Sequence, residues 1–148
     1  MGKNQIEEVR ELTGEEIESL GNEHIDSVDS PHEPYNTKPP TSGPHIGGVG
    51  KWGVHTEQIP DKIQVHNLED GGVIVHYDPT QVDGSVIDAL EDIVNSYADH
   101  LVLEPYADMD SPIVLTAWGR IDYLDNVDES RIRSFIDAYA GIDNHAAY

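Results

Sequence analysis

The sequence predicts an α+β fold: a mixed or antiparallel sheet with a β-hairpin, two core helices on one face, and a long Pro/Gly-rich loop. Two observations predict this class. In some segments of the chain apolar residues alternate, as in strands, and in others they recur at helical spacing. In chain order the segments are a hairpin at 62–78, a helix at 85–98, strands at 100–105 and 112–124, and a helix starting at Asp128 or Ser130.

Residues 1–21 are expected to form a tail and a short helix ahead of a single domain that spans residues 22–148. The run Thr-Gly-Glu-Glu at residues 13–16 has the form of a capping box, and Gly21 suits the end of a helix. No apolar run is long enough to span a bilayer, so we expect no transmembrane segment in this chain.

The charge of the chain is concentrated in its two flanks. Formal net charge is −21, from 29 acidic and 8 basic residues, and this disfavours binding to nucleic acid. Residues 34–77 carry only −1, between −8 before them and −12 after them. Acidic flanks without long like-charged blocks are typical of a solvated, halophilic surface. The absence of cysteine excludes disulfides, thiolate metal sites and cysteine nucleophiles.

The nearly neutral middle of the chain begins within a long loop rich in Pro, Gly and Ser, over residues 30–53. Prolines 39, 40 and 44 stiffen this loop, which argues against a floppy linker. A loop of this length is usually functional or disordered, and stiff irregular loops commonly carry binding sites. His45 stands near its centre.

The predicted hairpin suggests a metal site. If Asp70, Gly71 and Gly72 form its turn, His66 and His76 lie directly opposite each other. Opposite residues have Cβ atoms about 4.5–5.5 Å apart, so two imidazoles could share one cation.

Further ligands are needed to complete that site. His45 is the first choice, His24 and Asp70 follow, and Met109 would suit a soft ion. Imidazole suits zinc, Cu(II) or nickel, whereas a thioether would favour Cu(I). The predicted metal ligands are therefore His24, His45, His66, Asp70, His76 and Met109.

Four motifs of the sequence belong together: Tyr35, Pro-Pro-Thr-Ser-Gly-Pro-His at residues 39–45, Val-His-Asn-Leu-Glu-x-Gly-Gly-Val at residues 65–73, and Ala-Trp-Gly at residues 117–119. Together they resemble domain of unknown function 3105, over roughly residues 22–140. The resemblance implies a small extracytoplasmic domain behind an N-terminal membrane anchor. No such anchor is visible in this chain, so a cytoplasmic location stays open.

By the same resemblance, His24, His45 and His66 match histidine positions of the family pattern. That pattern usually has a further histidine where this chain has Asp70. Asp70 is then either a substitute oxygen ligand or the mark of a lost one. An oxygen ligand would move the metal preference from Cu(I) toward zinc or Cu(II).

These observations favour a small extracytoplasmic domain that binds a metal ion, with copper ahead of zinc. Two alternatives stay open. One is a non-catalytic interaction module that meets a protein partner through the proline-rich loop and the acidic surface. The other is a hydrolase, either metal-dependent or built from Ser42, His45 or His66, and Asp70, although the Gly-x-Ser-x-Gly motif of many such enzymes is missing.

Overall fold

The computed structural model describes residues 14–27 and 29–145, and its centre is a six-stranded mixed sheet. The spatial order of the strands is β1-β6-β5-β3-β4-β2. β4 is parallel to both β2 and β3, and the remaining neighbours are antiparallel. The strands are β1 (Glu15–Glu16), β2 (Gly53–Val54), β3 (Val73–Tyr77), β4 (Leu101–Pro105), β5 (Ile113–Ala117) and β6 (Arg120–Leu124).

Three helices accompany the sheet within the described residues: α1 (Asp61–Glu69), α2 (Gly84–Asn95) and α3 (Glu129–Tyr139). Together with the mixed sheet they confirm the α+β class. α2 connects the parallel strands β3 and β4, which need a crossover of this kind. Asp83 caps α2 by accepting hydrogen bonds from the amides of Ser85 and Val86, and Asp128 caps α3 by accepting one from the Arg131 amide. No helix in the described part of the chain is both long and apolar enough to cross a bilayer.

The two faces of the sheet bury different clusters, because alternate strand residues point to opposite sides. Val73 and Val75 of β3 belong to a large apolar cluster with Leu90 of α2 and Phe135 of α3. Ile74 belongs to a second, smaller cluster that also holds Val102 and Leu68 of α1. α1 therefore packs on the face that also carries the buried polar residues His76, Glu104 and Thr116.

The hairpin prediction for residues 62–78 is wrong. Its first half is helix α1, while its second half, β3, pairs with β4 and β5 instead. The Asp70-Gly71-Gly72 segment ends a helix: Gly71 has φ +91°, and the Gly72 amide donates to the Asn67 carbonyl at 2.8 Å. His66 and His76 are therefore not cross-strand neighbours.

The hairpin of this fold lies in a segment that the sequence predicted as one strand. β5 and β6 pair antiparallel and are joined through Trp118 and Gly119, whose φ is +69°. Only a residue that tolerates the left-handed region suits this turn, and glycine does so without strain.

The prediction of a helix before residue 22 also needs correction. Residues 1–13 lie outside the described residues, but Glu15–Glu16 form β1, which pairs with β6. Gly14 has φ +119°, and a Cβ atom there would lie 2.9 Å from the Ile121 carbonyl oxygen. The backbone at Gly14 thus lies close against β6, and residues 14–16 do not begin a helix as the predicted capping box requires.

Asp78, which follows β3, makes the stability of the fold depend on pH. The residue is 2% exposed, and its carboxylate accepts hydrogen bonds from the Gln81 side chain, from the hydroxyl and amide of Thr80, and from the Met109 amide. These hydrogen bonds hold the pKa of Asp78 below its usual range, and the bond from Gln81 contributes most. The ionised form therefore stabilises the native state.

Asp78→Asn is expected to destabilise the protein less as the pH falls. A carboxyl whose pKa is lowered on folding contributes stability above its unfolded pKa of about 3.9, and this contribution disappears as the pH falls through the folded pKa. Urea unfolding of the wild type and the variant from neutral to acidic pH would measure the difference. Exposed Asp92→Asn serves as the control, and a wild-type advantage independent of pH would contradict the prediction.

Candidate metal centre

Backbone pairing brings together His24 and His45, which lie in two irregular segments of the chain. The His45 amide donates to the Glu23 carbonyl at 2.9 Å, and the Ile25 amide donates to the His45 carbonyl at 2.8 Å. This parallel bridge sets His24 beside His45, with ring centroids 4.7 Å apart. Two residues distant in sequence thus present their imidazoles at one place.

Helix α1 adds two more side chains to this place. His66 and Glu69 are three residues apart, a spacing that puts them on the same face of a helix. The His66 ring lies 5.3 Å from that of His45 and 5.9 Å from that of His24. The four residues form the His/Glu cluster, in which one ligand atom from each lies within 4.8 Å of all the others: His24, His45, His66 and Glu69.

Two of these imidazoles are held so that Nε2 faces the cluster. Nδ1 of His45 lies 2.8 Å from the Gly43 carbonyl oxygen, and Nδ1 of His66 lies 3.0 Å from that of Ile46. A carbonyl only accepts, so Nδ1 is the donor in each contact, and a ring that carries one hydrogen then has its lone pair at Nε2. Metal-binding histidines almost always donate their other ring N–H to a partner of this kind.

Glu69 is fully buried at the centre of the cluster. Its Oε1 lies 3.1 Å from Nε2 of His45 and 3.8 Å from Nε2 of His24, and its Oε2 accepts a hydrogen bond from the Asn22 amide group. A buried carboxylate is costly unless a proton or a cation compensates it. Ligand atoms around tetrahedral zinc lie about 3.3 Å apart, and side chains as close together as these could hold an ion.

The segment around His45 is closely packed by its neighbours. Gly43 has φ +118°, and a Cβ atom there would lie 3.1 Å from the Tyr35 ring. The Tyr35 hydroxyl donates to the Pro44 carbonyl. Ser42, which is also buried, accepts a hydrogen bond from the Leu20 amide. The Ser42 hydroxyl therefore accepts a backbone hydrogen bond within the fold. The ring nitrogens of His45 face Gly43 and Glu69 and not this serine.

The structure separates the predicted ligands into two groups. His24, His45 and His66 meet, and Asp70 borders them with Oδ2 at 3.4 Å from Nε2 of His66. His76 and Met109 lie elsewhere. The prediction that His76 joins His66 in one site is corrected because residues 61–69 are helical and not a strand paired with β3.

His76 and Met109 have other surroundings in the fold. Nε2 of His76 lies 2.9 Å from the Thr116 hydroxyl. Its Nδ1 lies 2.8 Å from Oε2 of Glu104, an ion-pair contact without the alignment of a hydrogen bond. Met109 packs in an apolar cluster with Tyr106 and Val114. Neither residue belongs to the His/Glu cluster.

Sequence reasoning missed Glu69 and His145. A helical assignment of residues 61–69 would have identified Glu69 through its spacing from His66. No local signal marks His145, whose Nε2 lies 3.3 Å from Oε1 of Glu69 and 3.6 Å from Oδ1 of Asp70. Its hydrogen bond to Asp143 and the nearby carboxylate charges raise the pKa of His145.

Comparison with known proteins identifies a family for this chain. The model of a family described as a protein of unknown function, DUF3105, matches residues 29–147, which is most of the chain. The match includes His45, His66, Glu69 and His145, and it begins after His24. No curated protein matches the chain, and no solved structure does.

Proposed function

This chain belongs to the DUF3105 family, and we propose that it binds one divalent transition-metal ion through the His/Glu cluster. The observation that carries the proposal is the approach of His45 Nε2 to Oε1 of Glu69, at 3.1 Å and without solvent exposure of either side chain. Because Nδ1 of His45 already donates to Gly43, an ion between Nε2 and the carboxylate would satisfy both groups at once.

The donor set favours zinc(II). Three imidazoles and one carboxylate are ligands of the kinds that bind zinc, and four is the number that tetrahedral zinc requires. Cu(II) and nickel(II) are competitors for imidazole, whereas Cu(I) prefers sulfur. Since Met109, the sulfur ligand expected from the sequence, packs in an apolar cluster elsewhere, the proposal places zinc ahead of copper and so reverses the expected order.

Four protein ligands are typical of a structural or carrier site, because catalytic zinc usually keeps one position open for water or substrate. The cluster also bridges two irregular segments and a helix end that are distant in sequence. An ion bound there would cross-link these parts of the native state and stabilise it in proportion to the binding free energy.

The experiment that tests the proposal is a metal titration of the metal-free chain, purified without an affinity tag. Calorimetry with Zn²⁺ is expected to give one ion per chain, and zinc is expected to raise the unfolding temperature. At a free zinc concentration 1,000 times Kd, the native state gains about 4 kcal/mol. Mg²⁺, which prefers oxygen ligands, serves as the control. Absence of both binding heat and a thermal shift with zinc would refute the proposal.

A further inference from the structure

We propose that His145 is an additional ligand of the same ion, delivered by the C-terminal segment 141–145 and oriented by Asp143. This inference rests on the proposed function. It concerns the solvent side of the cluster, where His24 is 55% exposed and His145 is 49% exposed, whereas His45 and Glu69 are fully buried.

The segment is fixed to the end of helix α1 by its backbone. The Gly141 amide donates to the Gly71 carbonyl at 2.8 Å, and the Asn144 amide donates to the Glu69 carbonyl at 2.8 Å. The Asn144 side chain also donates to the Leu68 carbonyl at 3.0 Å. Carbonyls at the end of a helix lack partners within the helix, so segment 141–145 completes α1 while it brings His145 to Glu69.

The His145 ring has the orientation of a metal ligand. Its Nδ1 lies 2.5 Å from Oδ1 of Asp143, which leaves Nε2 directed toward Glu69 and Asp70. A carboxylate that accepts the second ring N–H of a histidine fixes its tautomer and increases its basicity as a ligand. Asp143 therefore acts as a positioning residue for His145.

One carboxylate oxygen connects this histidine to the His/Glu cluster. Oε1 of Glu69 has three Nε2 atoms around it, at 3.1 Å from His45, 3.3 Å from His145 and 3.8 Å from His24. Asp70, Asp143 and His145 also form a second group of ligand atoms within 4.8 Å of one another. An ion beside Glu69 is thus within reach of His145, which would add a fifth ligand to the four of the His/Glu cluster and slow the release of the ion.

His145→Asn in the full chain tests this inference, with His100→Asn as the matched control. Nδ1 of His100 lies 2.6 Å from a neighbouring carboxylate, that of Asp99, in the same kind of pair. His100 has φ +64°, a conformation that asparagine tolerates. His145→Asn is expected to weaken zinc binding at least tenfold and to accelerate zinc transfer to a chelator to a similar extent, while His100→Asn changes neither. Asp143→Asn should show a smaller effect in the same direction.

The outcomes separate this inference from the proposed function. If the wild type binds zinc and His145→Asn binds and releases it as His100→Asn does, His145 is not a ligand and the four-residue site stands alone. If the wild type does not bind zinc, the proposed function fails, and this inference fails with it. Circular dichroism of each variant checks that the fold is retained.

Discussion

Replacing His45 with alanine is expected to weaken zinc binding by more than about 100-fold. The loss of a residue that merely orients a ligand costs about 10–100-fold in metal affinity, and His45 is itself a proposed ligand. Its ring is fully buried, and its Nδ1 is fixed by the Gly43 carbonyl. The Glu69 carboxylate would therefore lose its contact with Nε2 of His45, at 3.1 Å.

Competition titration against a chelator of known affinity would measure this loss. His55→Ala is the control, because His55 follows β2 and bonds to the Lys51 carbonyl, outside the His/Glu cluster. His66→Ala is a second test, since His66 is partly exposed and its replacement disturbs the core less. Unchanged zinc affinity in both His45→Ala and His66→Ala would show that the cluster is not the binding site.

The place of His45 in the His/Glu cluster could be predicted because its sequence surroundings are distinctive, whereas the hairpin that suggested His66 was wrong. The proline-rich run before His45 forces an irregular, stiff segment whatever the rest of the fold does. In the structure this segment is buried, and its backbone pairs with residues 21–25. Local stiffness was thus visible in the sequence, whereas the partner that pairs with it was not.

The conformation of residues 61–69 could not be decided by pattern alone. Ile63 and Val65 alternate with polar residues as in a strand, yet Gln64, Val65 and Leu68 also lie on one buried helical face. Contacts distant in sequence decide between the two periods: Leu68 packs against Ile74 and Val102. Because Glu69 becomes a ligand candidate only in the helical reading, the error in secondary structure also concealed a site residue.

His145 was beyond any local reading for a different reason. It reaches the cluster through a segment whose nearest anchor, Asn144, bonds to a residue 76 positions earlier. Neither composition nor spacing encodes such a contact. Strands 101–105 and 113–117 were easier to predict from the sequence. They are short, mainly apolar runs, as is typical of strands that are buried on both faces, and in the structure they are fully or nearly fully buried.

Replacing His76 with alanine is expected to lower the free energy of unfolding by about 3–5 kcal/mol and to leave zinc affinity unchanged. His76 and Glu104 form a buried pair on the α1 side of the sheet, and removal of one partner leaves the other buried without compensation. Among the described residues, Glu104 would keep only the hydrogen bond from the Ile59 amide, which donates to its Oε1 at 2.6 Å. The Thr116 hydroxyl would also lose its contact with Nε2 of His76.

Urea unfolding of the metal-free protein and zinc titration of the folded variant would measure the two effects separately. Glu104→Gln is the matched variant, because it keeps the size of the side chain and an oxygen acceptor while it removes the charge. It should therefore destabilise the protein less than His76→Ala does. The hairpin hypothesis predicts the opposite pattern for His76, since a ligand opposite His66 would contribute to zinc binding. A fall in zinc affinity in His76→Ala, without a comparable loss of stability, would contradict the helical assignment of residues 61–69 and the metal centre built on it.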